Sequence, residues 1–454
     1  MTIRQLFGTT AFIGQQHLDN TDKFKLHSYF VGNTEVSHAP NVYGFQQTHQ
    51  GFKWDEILTQ AKERGIDVMW TMQGGFNWMT TDGSVWKRMP INNTDDPLNP
   101  ANYKYVKEIG FHVAARYGNN PNADRNRIVA TLMNASTVPL DGNGKPMVYR
   151  ANKVKVALGL VNKIRVQNEY NFHVGWSGLT RAFTNQSYAV CLCEVIDGIL
   201  AGDPNMEIVL GGQLGPDVAY TEELLLEIIR IRGSLPVNLS LDFHLYPRDN
   251  SLDQTGGTYA LTPEEAGFYT IGTAQENLCV KYNVKKWYIT ESGWNNSSST
   301  SATAKKQKAP LLEGYTLDQS AGLLMFRGVL NLASHKRFSG ITYYHSRDLY
   351  DGEPYSYTGL CTKDWKTKER KTLCESLIEQ YGDYEVEGFI QINSLYTAFI
   401  KSNSEVVNLS WTNLINQYGL TPMPTVIDTI PTPTKPIVEI NIQGDLSKVK
   451  LTIQ

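Results

Sequence analysis

Two glutamates carry the strongest chemical signal in this chain of 454 residues. Glu169 lies in Lys163–Tyr170 (KIRVQNEY) and Glu291 in Trp287–Trp294 (WYITESGW). Each follows a β-branched or aromatic run that reads as a buried strand, so each carboxylate is delivered at the mouth of a sheet. A lone glutamate in such a place commonly just ends a strand on the surface. Two of the same build can work as a pair on an acetal. One carboxylic acid protonates the leaving oxygen while the other carboxylate attacks the anomeric carbon. At about 5–5.5 Å apart they leave no room for an intervening water, and configuration is retained. The nucleophile must be charged, and the acid must stay neutral until it acts.

Other residues fit around that pair. Asn168 could donate to a hydroxyl of the reacting ring. His244 and Tyr246 alternate along one predicted strand, so they point the same way and could reach Glu291. Lys25 or His27 would supply a cation near the nucleophile and favour its ionised form. Flat sugar faces stack on aromatic rings, and Phe76, Trp78, Trp86, Trp176 and Trp294 fall in loops predicted to follow strand ends. Trp176 and Trp294 are nearest in sequence to the carboxylates, whereas some of the five must serve as loop anchors or core filler.

The elements that would position these groups alternate. Strand-like runs occur at Leu6–Ile13, Phe24–Phe30, Asp67–Met72, the Glu169 stretch, Glu207–Gly211, Ser240–Tyr246, the Glu291 stretch and Gly340–His345. Between them, Trp54, Ile57, Leu58 and Ala61 recur at i, i+3, i+4 and i+7, and further helical patterns cover Tyr105–Tyr117, Ser187–Leu200, Thr221–Ile231 and Leu317–Ala333. Thr262-Pro263-Glu264-Glu265 reads as a helix start, with Thr as N-cap, Pro first and Glu three after the cap. No two of these strands are joined by a hairpin turn, which indicates a parallel sheet covered by helices. Eight strands make the α/β class with a closed (β/α)8 TIM barrel the expected fold, with catalytic groups at the C-terminal strand ends. An open doubly wound sheet is the rival, but no Gly-rich phosphate loop follows the first strand.

The pattern changes near Tyr384, so residues 1–383 are expected to form the barrel and 384–454 a small C-terminal β-rich extension. Phe389–Trp411 alternates as short antiparallel strands do. Thr421–Pro436 holds five prolines in 16 residues and reads as an extended connector. Val438, Ile440 and Ile442, then Val449, Leu451 and Ile453, flank Gly444-Asp445 as a terminal hairpin that would need a surface to pack on.

Composition excludes several classes. A net charge of −3 and a pI near 6.3 give no reason to expect a nucleic acid or other polyanion as partner. No apolar run approaches the length of a membrane span. The five cysteines and the His, Asp and Glu residues show no metal-ligand spacing, so neither a metal nor a cofactor is expected. The opening MTIRQLFGTTAFIG has no charged n-region followed by an apolar h-region, and so does not read as a signal peptide.

With Asn168-Glu169 after the fourth strand and Glu291-Ser292 after the seventh, the chain resembles clan A of the retaining β-glycoside hydrolases. The segments HVAARYGNN, LGLVNKIRVQNEY, YHSRD and GLCTKDWKTK are similar to β-xylosidase-like and uncharacterised clan members of gut Bacteroidota. The resemblance implies that Glu169 is the acid/base and Glu291 the nucleophile, with His244 and Tyr246 on the sixth strand beside them. It also implies a carbohydrate substrate, a poly- or oligosaccharide, which would favour an extracellular or periplasmic location. The chain departs from the clan in three places. Lys25 is the nearest counterpart of the strand-two arginine, the usual strand-eight tryptophan is missing with Tyr343, Tyr344 and His345 there instead, and Tyr170 stands where many members have proline. These departures leave open a degenerate barrel that binds sugar or serves a surface or phage assembly, docking or self-associating through the C-terminal hairpin.

Overall fold

The computed structural model describes residues 1–11, 15–37, 39–45, 54–79, 89–128, 155–171, 181–247, 260–297, 308–349, 357–392, 394–403 and 405–412. Eight parallel strands close on themselves. They are β1 (Phe7–Ala11), β2 (Leu26–Gly32), β3 (Asp67–Gln73), β4 (Lys163–Val166), β5 in two pieces (Glu207–Val209 and Gln213–Leu214), β6 (Leu239–His244), β7 (Trp287–Ser292) and β8 (Phe338–Tyr343). Neighbours pair in sequence order, and β1 pairs β8 to complete the ring. A helix follows each strand: α1 (Gln15–Thr21), α2 (Trp54–Glu63), α3 (Lys104–Tyr117), α4 (Asn185–Gly202), α5 (Val218–Arg232), α6 (Phe268–Tyr282), α7 (Leu317–Ala333) and α8 (Glu369–Tyr381). This is a TIM barrel, as the alternation of strand and helix patterns required. Among the described residues no helix is long and apolar enough to cross a membrane.

Alternation along each strand divides the core. Ile164, Val166, Ile208, Trp287 and Ile289 face the helices and join one large apolar cluster with them. Leu26, Met69, Val209 and Tyr288 form a separate apolar cluster that plugs the barrel toward the N-terminal strand ends. Above that plug the interior turns polar: Thr10 meets Thr342 at 3.0 Å, Ser28 meets Thr71 at 3.4 Å, and Arg165, Asp242 and Thr290 bond together.

Helix ends follow local chemistry. Thr184 and Thr316 cap α4 and α7 by accepting backbone N–H bonds from Ser187 and Gln319. The Thr262–Glu265 box does form, with Glu265 Oε2 accepting from the Thr262 N–H at 3.1 Å, but it closes a turn, and α6 begins only at Phe268. Glu264 is used elsewhere, in a buried ion pair with Arg327 of α7.

After α8, three antiparallel strands form a second sheet: β9 (Glu385–Ile392), β10 (Leu395–Lys401) and β11 (Val406–Thr412). Phe389, Tyr396 and Trp411 bury in the same apolar cluster as the barrel's helices, and Trp411 donates its indole N–H to Glu264 at 3.0 Å. The proline-rich connector and the terminal hairpin expected from the sequence lie outside the described residues.

Candidate active site

Both glutamates are brought to the barrel mouth by breaks in regular strand geometry. Beyond β4 the backbone enters the left-handed region twice, at Gln167 (φ 71°) and Glu169 (φ 47°). Each such residue costs about 1–3 kcal/mol unless its surroundings hold it. Here Gln167 N–H donates to Met72 O at 2.7 Å, Gln167 Oε1 accepts from Gly74 N–H at 2.9 Å, and Glu169 N–H donates to Gly212 O at 3.0 Å. On β7, Thr290 faces the barrel interior, so strict alternation would send Glu291 into the helix layer. Register shifts between Phe243 and His244 on β6, and between Ile289 and Ser292 on β7, bracket Glu291 and re-aim it.

The result is a compact group drawn from three strand ends. His244 Nδ1 lies 3.1 Å from Glu169 Oε1 and 3.4 Å from Glu291 Oε2. Tyr246 donates its hydroxyl to Glu291 Oε2 at 3.0 Å. The nearest polar atoms of Glu169, His244 and Glu291 all lie within 4.8 Å of one another. A closest approach of this size fits the roughly 5–5.5 Å between carboxyl groups that double displacement needs. Burial alone would lower the pKa of His244, but the facing charges of Glu291 and Glu169 outweigh it and raise the value above the ordinary one. The imidazole can thus hold a proton between the two carboxylates. The three side chains could also share a metal ion, a grouping invisible in sequence spacing because each comes from a different strand.

Gly212, in the break between the two pieces of β5, makes this packing feasible. Its φ of 47° suits glycine, and a Cβ there would sit 2.5 Å from His244 Nε2. Neither Gly212 nor Arg165 stood out in the sequence. The signal for Arg165 was present, because Lys163 and Arg165 alternate on one strand and so face the barrel together. Arg165 is fully buried, and its guanidinium reaches Asp242, Thr290 and, at 2.9 Å, Asn168 Oδ1.

Several expected site residues lie elsewhere. Lys25 precedes β2, at the N-terminal end of the barrel, and its ammonium donates to Arg64 O at 2.7 Å. His27 is the second residue of β2 and faces the helix layer, bonded to Tyr29 and to Thr21 O of α1. Neither supplies a cation at the nucleophile, because β2 begins at Leu26 and its C-terminal end lies at Gly32, at the other end of the strand. His345 is 1% exposed and joins His17 and His27 in a buried histidine group behind the barrel wall, so it offers nothing to a substrate. Trp294 is 2% exposed and spends its indole N–H on Leu261 O at 3.0 Å. It anchors its loop and offers no open face for stacking. Phe76 is core.

Tyr344 and Trp78 do lie half-buried near the barrel mouth. The Tyr344 N–H donates to Ser292 O at 2.8 Å, next to Glu291, and Trp78 packs on Phe76 and Tyr105 while donating to Ser37 O. Tyr170 stacks on Tyr188 at 3.8 Å, and Tyr188 ties the ends of β4 and β5 through Val166 O and Gly211 N–H. Trp86 and Trp176 lie outside the described residues.

No protein-family model matches the chain, and no curated protein matches it in sequence. Solved structures do share its fold. A family 39 glycoside hydrolase from Bacteroides cellulosilyticus WH2 superposes with a TM-score of 0.55 at 12% identity, covering 91% of this chain and 72% of that one. A monomeric beta-xylosidase from Caulobacter crescentus CB15 superposes with a TM-score of 0.57 at 15% identity, covering 93% and 77%. At these identities the likeness establishes the shared barrel.

Proposed function

We propose that this protein is a retaining β-glycoside hydrolase acting on a poly- or oligosaccharide. The observation that carries the reading is the pair Glu169 and Glu291, delivered from β4 and β7 to either side of His244 at a separation suited to double displacement. The glycosidase names borne by the two structures with the same barrel are consistent with it. Glu291 attacks the anomeric carbon while Glu169 gives its proton to the departing oxygen. A glycosyl ester forms on Glu291, and the carboxylate of Glu169 then takes a proton from the water that hydrolyses it. Tyr246 donates to Oε2 of Glu291 and so helps to orient the nucleophile. His244 keeps both carboxylates in register. Asn168, Tyr344 and Trp78 contact the sugar. Residues 1–383 form the catalytic barrel, with 384–454 as a β-rich extension.

Intact-mass measurement after incubation with a panel of 2-deoxy-2-fluoro glycosyl fluorides tests this. An adduct that maps to Glu291 and is lost in Glu291→Gln is the expected result. The absence of any adduct, together with oligosaccharide binding by calorimetry, would overturn it in favour of a binding protein.

A further inference from the structure

The ends of β6 and β7 carry Tyr246 and Glu291, and both are bonded to one short turn at residues 262–267. Leu261 sits at its start. The Leu261 N–H donates to Pro247 O at 2.8 Å, one residue beyond Tyr246. Its carbonyl accepts the Trp294 indole N–H at 3.0 Å, three residues beyond Glu291. The turn then closes on itself, with the Ala266 N–H donating to Thr262 O at 2.9 Å and the Gly267 N–H to Glu264 O at 3.0 Å.

Glu264 anchors this turn, and its side chain is fully buried. It accepts from Arg327 Nε at 3.1 Å and Nη2 at 2.5 Å, and from Asn331 Nδ2 at 3.0 Å, all on α7. Its remaining donor comes from outside the barrel. Trp411 of β11, in the second sheet, gives its indole N–H to Glu264 Oε1 at 3.0 Å, and the Arg327 guanidinium lies 5.4 Å from the centre of the Trp411 ring. A carboxylate buried this deeply exchanges no bonds with water, so these donors set its direction. The second sheet thus helps to place the turn, and the turn holds Pro247 and Trp294.

On the reading of the site as a glycosidase, we propose that the second sheet is a positioning element of the active site, with Trp411 acting through Glu264 on the turn that joins the ends of β6 and β7. A sheet that only covered α7 would stabilise the barrel without touching turnover. Glu291 and Glu169 must meet one anomeric carbon together, and a misplacement of about 1 Å by a change far from the chemistry can cost about 100-fold in rate.

The test measures kcat and KM on an aryl glycoside, together with the denaturation midpoint, for the full-length wild type, Trp411→Phe, Glu264→Gln and Thr397→Val. Trp411→Phe keeps a ring over Arg327 and deletes the N–H. Glu264→Gln keeps the shape and deletes the charge, and if it does not fold Trp411→Phe decides. Thr397→Val breaks the Thr397–Ser410 bond of 2.9 Å on the opposite face of the same sheet, and so reports what loosening the sheet does alone. With KM nearly unchanged, kcat is expected to fall about threefold or more in Trp411→Phe and about tenfold or more in Glu264→Gln. The rate at which a 2-deoxy-2-fluoro glycosyl adduct forms on Glu291 should fall in step, and Thr397→Val should keep the wild-type kcat. A wild-type kcat in Trp411→Phe, a change in KM alone, or an equal fall in Thr397→Val would overturn this inference while leaving the glycosidase reading intact. A wild type that forms no adduct and turns over no glycoside would remove that reading, and this inference with it.

Discussion

The two halves of the barrel interior are built from the same strands and obey opposite rules. Toward the N-terminal strand ends, Leu26, Met69, Val209 and Tyr288 pack as an apolar plug. Toward the C-terminal ends, the same strands present hydroxyls, an arginine–aspartate pair and two carboxylates bridged by a histidine. Left-handed residues and register shifts concentrate there. The plug uses burial to stabilise the fold, whereas the mouth carries the cost of buried polar groups and irregular backbone. That cost is offset where Arg165, Asp242, Thr290, His244 and the glutamates bond to partners from neighbouring strands. The proposed catalytic groups lie at the C-terminal, polar end.

Substitutions at the two ends should separate activity from stability. The largest effect is expected from Glu169→Ala. On aryl glycosides with poor leaving groups kcat/KM should fall about 10²–10⁴-fold, the usual worth of a general acid. The loss should shrink as the leaving group improves, and added azide should restore turnover. A loss independent of the leaving group would deny Glu169 that role. At the plug, Met69→Ala should cost about 2–5 kcal/mol in denaturant unfolding and leave kcat nearly unchanged, because it removes packing and no polar partner. Gly212→Ala should do both on a smaller scale. Its new methyl would press on His244, costing about 1–3 kcal/mol in stability and lowering kcat. If activity stays at the wild-type level, the glycine is a turn residue only.

The smallest effect concerns pH. Burial drives His27 down to about 4 and His345 to about 3, and lowers His17 as well. The unfolded chain would protonate these groups near pH 6.5, before the folded one does. The stability they contribute is therefore complete above about pH 6.5 and is lost as pH falls toward about 4. His244 is shifted the other way, and so is Glu35, which burial raises to about 7. The net profile mixes these signs, so a difference is the clean measurement. The thermal midpoint should drop less between about pH 7 and pH 4.5 in His27→Asn than in wild type, since the variant has lost one group that resists protonation. Parallel profiles would mean that His27 is not held neutral by its surroundings.

Much of the frame was legible. Leu317–Ala333 is a helix between its predicted ends, and the alternation in Phe389–Trp411 corresponds to strands in the second sheet. Strand boundaries were less legible, with consequences for the site. Reading β2 as Phe24–Phe30 placed Lys25 and His27 within reach of chemistry, while the strand spans Leu26–Gly32 and puts both at its far end. The aromatic loop residues failed for another reason. Trp294 looks the same in sequence whether its ring stacks on a ligand or fills a gap, and only its 2% exposure decides.

The sequence by itself determined the order of strands and helices, the eightfold count and the two strand-terminal glutamates, because side-chain period, capping and strand propensity are local properties. The tertiary structure decided which side chains meet. The turn of Glu291 into the barrel depends on register shifts between neighbouring strands. The polar layer beneath the glutamates depends on Arg165, Asp242 and Thr290, which arrive from β4, β6 and β7 and bond to one another. Pairing register and the burial of a charge are properties of strands brought together, and no window of sequence contains them.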